Sequence, residues 1–198
     1  DNVFGALTTG DHNTLAGYNS GASITSGESN TLFGSTSGDA LTTGGTNTVV
    51  GSNALSTDTQ GSLSTAIGYQ ALNAQNFSSA TDSHNTAVGY QAGLAVTTGI
   101  HNTIVGSRAG DAFTDADFNT AIGANALTGD TQGSRSVAIG RGALAVQNFT
   151  SATDTYNTAV GFGAGVSVTT GIENTLIGGN AGAALQMQIE IQQLVIKP

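Results

Sequence analysis

A five-residue motif, Asn-Thr-apolar-apolar-Gly, recurs ten times in this chain of 198 residues and constrains its folding more than any other feature. It begins at Asn13, Asn30, Asn47, Ser64, Asn85, Asn102, Asn119, Ser136, Asn157 and Asn174. Successive copies are 17 residues apart except for two intervals of 21, so a 72-residue period overlies the short one. The stretch from Ser64 to His84 matches that from Ser136 to Tyr156 at 13 of 21 positions. A unit this short cannot enclose a core alone. It buries apolar surface only by stacking on its neighbours, which predicts a solenoid.

Aligning the ten copies gives columns, and each column carries a physical demand. The fifth motif residue is always glycine: Gly17, Gly34, Gly51, Gly68, Gly89, Gly106, Gly123, Gly140, Gly161 and Gly178. Such invariance predicts a corner with positive φ or a close backbone approach. Three residues later the side chain is always small, from Ser20 and Ser37 to Ala164 and Ala181. The third and fourth motif residues are both apolar, and Val and Ile dominate the fourth, which suits a strand.

One pair of columns shows compensation. Gly21, Gly38, Gly93, Gly110, Gly165 and Gly182 are followed three places later by Ile24, Leu41, Val96, Phe113, Val168 and Leu185. Where leucine replaces that glycine, at Leu55, Leu72, Leu127 and Leu144, the later position is Asp58, Gln75, Asp130 or Gln147. A close-packed interior tolerates neither a vacancy nor a double filling, so one interior slot is filled from two alternative backbone positions.

These columns predict an all-β chain: a parallel β-roll or β-solenoid of about ten coils, each of 17 or 21 residues. Helical pairs are excluded by the short period and the absence of a 3.6-residue apolar rhythm. Coils about 4.8 Å apart give a rod roughly 48 Å tall. Within the motif, residues two and four share one face and residue three takes the other. Both faces contain apolar columns, so one packs on the coil's own interior and the other calls for a partner, most simply another copy of the chain. The Asn column predicts a side-chain amide ladder.

Composition narrows the function. With Lys and Arg numbering 4 and a formal net charge of −9, the chain lacks the basic patch that phosphate binding needs, so nucleic acid is not an expected partner. There is no cysteine, hence no disulfide frame or thiolate metal site. No apolar run reaches the length of a membrane span, and no direct membrane insertion is expected of this segment. The chain begins at Asp1 without a recognisable signal peptide and reads as a piece of a longer protein. No catalytic set, metal site or cofactor is expected: the carboxylates are dispersed, glycine-rich stretches lack a Walker-type lysine, and the chain is read as a non-enzyme. Asp111, Asp115 and Asp117 are close enough in sequence to be weighed as a calcium cluster against solvated turn acids. His12, His84 and His101 each precede a motif, and the last two, in adjacent coils, are candidates to stack.

Ser136-Val-Ala-Ile-Gly140, followed by Ala143-Leu144, resembles the head repeat of YadA-like trimeric autotransporter adhesins. Asn85-Thr-Ala-Val-Gly-Tyr-Gln-Ala92 is similar to repeats of phage tail fibres and of bacterial surface fibres matured by an endosialidase-type chaperone domain. The likeness covers about residues 13–182. It implies a left-handed β-roll, an intertwined or side-by-side homotrimer, and an adhesive or receptor-binding role outside the cell. The location would be a bacterial surface or a phage virion tail fibre, in contact with a host or prey surface receptor or glycan. The coils here are longer than the usual adhesin-head coil, and the segment carries neither an anchor barrel nor a chaperone domain.

Three regions follow: an N-terminal capping coil over 1–12, the repeat domain over 13–182, and a strand or neck transition over 183–198. In the last, Leu185 to Gln192 alternates apolar and polar residues as a half-buried strand does, while Met187, Ile191 and Leu194 are compatible with a coiled-coil stalk. The two 21-residue coils carry matching insertions, in which Asn76, Phe77, Asn148 and Phe149 are the candidate receptor contacts. The competing reading tucks Phe77 and Phe149 inward over the core. A pure spacer shaft and an ice-binding solenoid are the alternative functions. Against the latter, the Thr column at motif position two is expected to share its face with core Val and Ile.

Overall fold

The computed structural model describes residues 3–184 and, as backbone, the strand Ile189–Gln193. Ten short strands coincide with the ten motifs. They are β1 (Thr14–Ala16), β2 (Thr31–Phe33), β3 (Thr48–Val50), β5 (Thr65–Ile67), β7 (Thr86–Val88), β8 (Thr103–Val105), β9 (Thr120–Ile122), β11 (Val137–Ile139), β13 (Thr158–Val160) and β14 (Ile172–Ile177). With β15 (Ile189–Gln193) they form one eleven-stranded parallel sheet in chain order. Two small sheets pair β4 (Gly61–Ser62) with β6 (Thr81–Asp82) and β10 (Gly133–Ser134) with β12 (Thr153–Asp154), each joining a 21-residue coil to the coil before it. No helix occurs among the described residues. The fold is a parallel β-solenoid of about ten turns.

Register follows the motif throughout. Thr14 pairs with Thr31, Thr31 with Thr48, and Thr65 with Thr86 across the longer interval. At the C-terminal end Ile172 pairs with Ile189 and Asn174 with Ile191, so β15 adds a rung whose backbone is strand. Residues 185–188 and 194–198, with the rest of the half-buried or coiled-coil question, lie outside the described residues. At the other end the Thr8, Thr9 and Gly10 N–H groups all donate to the Thr25 carbonyl, seating the first residues on coil one.

The motif glycines satisfy both halves of the expectation. All ten have φ between 125° and 143°. From Gly17 to Gly161, a Cβ would stand 2.3–2.6 Å from the backbone of the glycine one coil on. Glycine is stacked on glycine, so any side chain would both strain its own backbone and strike the next rung.

The interior is built from the third motif residue, the small column and the compensating pair. Leu32, Val49, Ala66, Ala87, Ile104, Ala121, Ala138 and Ala159 are fully buried, as are Ile24, Leu41, Val96 and Phe113. A Cβ on Gly38 would lie 2.9 Å from Leu41 Cδ1, and one on Gly110 2.6 Å from Phe113 Cε2. That geometry is why the two positions are filled in alternation. Leu55, Leu72, Leu127 and Leu144 fill the slot at φ between 48° and 52°, a left-handed conformation costing about 1–2 kcal/mol. Full burial of leucine, worth about 1.5–3 kcal/mol, offsets it.

In those four coils the vacated place becomes polar. Asp58 is fully buried, and its Oδ1 accepts from the Gly61 N–H at 3.0 Å and the Phe77 N–H at 3.2 Å. Gln75 donates through Nε2 to Asp58 Oδ2 at 2.7 Å and to Ser64 Oγ at 2.8 Å, and its Oε1 accepts from Asn85. Asp130, Gln147, Ser136, Phe149 and Asn157 repeat this network in the later long coil. The amide ladder forms as expected. Asn30 and Asn47 each donate to the Asn Oδ1 one coil earlier, at 3.1 Å, and to a glycine carbonyl in their own coil. Ser64 and Ser136 break the ladder, and the Gln networks bridge those breaks.

Candidate binding surfaces

Strand alternation puts the third motif residue inside, so residues two and four face out. The Thr column (Thr14, Thr31, Thr48, Thr65, Thr86, Thr103, Thr120, Thr158 and Thr175, with Val137 in one rung) is exposed or half-buried. So is the column running through Phe33, Val50, Ile67, Val88, Val105, Ile122, Ile139, Val160 and Ile177, with Phe33 42% exposed. The threonines do share a face with Val and Ile, but that face is the outside of the coil rather than its core. The expectation is corrected: the third column, β-branched Val49 and Ile104 included, is the one enclosed. The β-branched fourth column is left on the surface.

Exposed ladders run along both edges of this face. On the upstream edge, residues with φ of 49° to 63° hold His84, His101, Phe118 and Arg135 outward. His84 and His101 stack at 4.9 Å between centroids, His101 and Phe118 at 4.9 Å, and the Arg135 guanidinium lies 4.9 Å from the Phe118 ring. Arg135 Nε also meets Asp154 Oδ1 at 3.0 Å. On the downstream edge Tyr69 stacks with Tyr90 at 5.7 Å, Gln91 donates to Gln70 at 2.8 Å, and Arg141 covers Phe162 at 5.5 Å. The histidine stack was foreseeable; its extension through Phe118 and Arg135 was not. The signal lay in the column just before the motif, whose members are dissimilar in type but share one left-handed corner.

The long-coil insertions divide their candidate residues. Phe77 and Phe149 are 6% and 9% exposed, so their rings are turned in and are not free to stack on a receptor. This follows the inward-tucked alternative and removes the two rings as surface contacts. Asn76 and Asn148 are exposed, and each side-chain oxygen accepts from a threonine one coil earlier, Thr59 at 3.2 Å and Thr131 at 3.1 Å.

The acidic triplet is not drawn together. Asp111 takes Arg108 Nε at 3.2 Å and the Thr128 hydroxyl, Asp115 accepts from Thr98, and Asp117 accepts the Ile100 N–H at 2.8 Å. No group of three or more His, Asp or Glu side chains able to hold a metal ion occurs among the described residues. Burial raises the Asp117 carboxyl above its ordinary value. The Ile100 N–H works against that shift, Asp115 adds to it, and His101 and Arg135 oppose it. No helix is long and apolar enough to cross a membrane among the described residues.

A hollow lies on the rod's surface. It has a volume of about 330 Å³ over coils one to four and is lined by Ser26, Glu28, Ser29, Thr43, Gly45, Thr46, Ser62, Leu63 and Asp82. The Gly45 N–H donates to Ser62 Oγ at 3.1 Å, which fixes that hydroxyl oxygen and leaves its proton free to donate.

Fold and surfaces together define a repeat protein of the parallel β-solenoid class, with a filled interior and one long outward sheet face. Compared with protein-family models, curated proteins and solved structures, the chain finds no match.

Proposed function

We propose that this segment is a structural and adhesive part of an extracellular or virion fibre, wound left-handed and assembled as a homotrimer, that contacts a surface receptor or glycan. The observation carrying this reading is the outward Val/Ile column. It repeats in nearly every rung, is flanked by aromatic and arginine ladders, and forms an apolar strip with a polar rim, as subunit interfaces do. The resemblance of its repeats to adhesin heads and tail fibres supports the same assignment. The segment is read as non-catalytic, its two fully buried carboxylates, Asp58 and Asp130, being engaged by backbone and amide donors within the coil. Sedimentation and native mass of the chain are expected to give a trimer, and Val105→Lys with Ile122→Lys to give a folded monomer. A wild-type monomer at micromolar concentration sinks the assembly. Trimer that binds no cell surface or glycan leaves only a spacer.

A second reading is favoured by one specific observation, the outward Thr column in register at rung spacing, a flat array suited to ordering water. It requires that face to be free. Thermal hysteresis from the unmodified chain would establish it; none from the unmodified chain ends it.

A further inference from the structure

The hollow over coils one to four has a counterpart 72 residues on, and there side chains occupy the corner. Gly45 corresponds to Asp117, Thr46 to Phe118, Ser29 to His101 and Leu63 to Arg135. In the later copy the Asp117 carboxylate takes the Ile100 N–H, and the rings and guanidinium stack over the corner. The earlier copy keeps the backbone and the supporting bond: Gly45 N–H to Ser62 Oγ matches Asp117 N–H to Ser134 Oγ at 2.9 Å. It lacks the filling. A Cβ on Gly45 would lie 2.9 Å from the Glu28 carbonyl oxygen and 3.4 Å from the Glu28 nitrogen, so a side chain here needs the Glu28 backbone to give way slightly. The Glu28 N–H, equivalent to that of Ile100, has no protein acceptor among the described residues.

We propose that this hollow is a binding site for a neutral oligosaccharide lying along the rod axis, one of whose hydroxyl oxygens accepts the Glu28 N–H as Asp117 does for Ile100. The class of ligand follows from the lining. Hydroxyls stack in two pairs at rung spacing, Ser26 with Thr43 and Ser29 with Thr46, about 4.8 Å, the scale of one pyranose ring, and Ser62 adds a fifth. Leu63, 36% exposed, offers an apolar patch for a sugar's C–H face. Glu28 and Asp82 sit at opposite ends with no cation among the lining residues, which disfavours a carboxylated or sulfated chain. The site gives the proposed adhesion a ligand class and rests on that reading.

The test is titration of the assembled protein with cellotriose, mannotriose and triacetylchitotriose, read by amide chemical shifts, with trigalacturonate as the acidic comparison. At least one neutral trisaccharide is expected to shift Glu28, Gly45 and Ser62 saturably. Gly45→Asp, which copies the filled corner, and Thr46→Phe, which copies Phe118, are each expected to weaken it about tenfold or more, the loss of one hydrogen bond and its space. Thr46→Phe borrows a residue the later copy accommodates, Gly45→Asp asks the Glu28 carbonyl to shift as well, and unperturbed spectra elsewhere report folding of each. Shifts that survive both variants, or equal binding of trigalacturonate, overturn the proposal. Glycan capture by the trimer with no shift at Glu28 overturns it as well, while leaving adhesion standing.

Discussion

Residues 13–84 and 85–156 are two copies of one 72-residue block. Their apolar slots are filled differently, Leu32 against Ile104, Val49 against Ala121 and Leu41 against Phe113, but the buried features of the long coils agree. Asp58 and Asp130 hold the same three donors, Leu72 and Leu144 fill the same slot at the same φ, and Phe77 and Phe149 are turned in alike. Outside, the earlier copy has a hydroxyl-lined hollow where the later one has His101, Phe118 and Arg135 in a stack. Asp39 and Asp111 show the same divergence. Asp111 is paired with Arg108 and Thr128, whereas Asp39 has Thr36 and Ser56 in those places and keeps Oδ1 buried without a donor.

If those buried features are equivalent, equal insults must have equal cost. Asp58→Ala orphans the Gly61 and Phe77 N–H groups and the Gln75 amide, and Asp130→Ala does the same to Gly133, Phe149 and Gln147. At about 1–3 kcal/mol for each stranded donor, each variant is expected to lose roughly 3 kcal/mol or more in denaturant unfolding. Unequal losses would break the equivalence.

Next in size is the alternation rule. Gly38→Leu places a side chain against Leu41 in a left-handed corner and is expected to cost about 2–4 kcal/mol. Adding Leu41→Ala vacates the slot, so the double variant should recover at least about 1 kcal/mol relative to additivity in a thermodynamic cycle. Simple additivity would show that the two columns do not share one cavity.

The smallest effect sharpens the surface difference. Burial raises the Asp39 carboxyl above 3.8, partly opposed by the Asp39 and Ala40 N–H groups. The folded chain therefore holds more protons than the unfolded one between that ordinary value and the raised one, and stability falls as pH rises through the window. Asp39→Asn removes this slope. Its gain, below about 1 kcal/mol with solvent screening included, should appear above the raised value and vanish in more acidic solution. A gain that is independent of pH would point to a different cause.

Much of the fold was legible because stacked coils write each demand ten times. The glycine corner, the small column, the Asn ladder and the exchange between Gly38 with Leu41 and Leu55 with Asp58 could all be read from alignment of the chain with itself. The inside of the strand could not. Leu32 and Phe33 are both apolar, alternation separates them without saying which is enclosed, and hydrophobicity pointed the wrong way by favouring the Val/Ile column. The candidate site was less legible still. Phe77 looks like an exposed aromatic beside polar residues until its burial is known. The hollow at Gly45 is visible only against Asp117, once the register shows that the two occupy one corner.

By itself the sequence determined that this is a solenoid, how its rungs are spaced and which residues stack on their equivalents, because a repeated unit must repeat its contacts. Only the tertiary structure decided which face of each strand is core, which rings are free, and where an N–H points into open space. Those depend on how one coil closes around its own interior, and the period of a sequence carries no record of that.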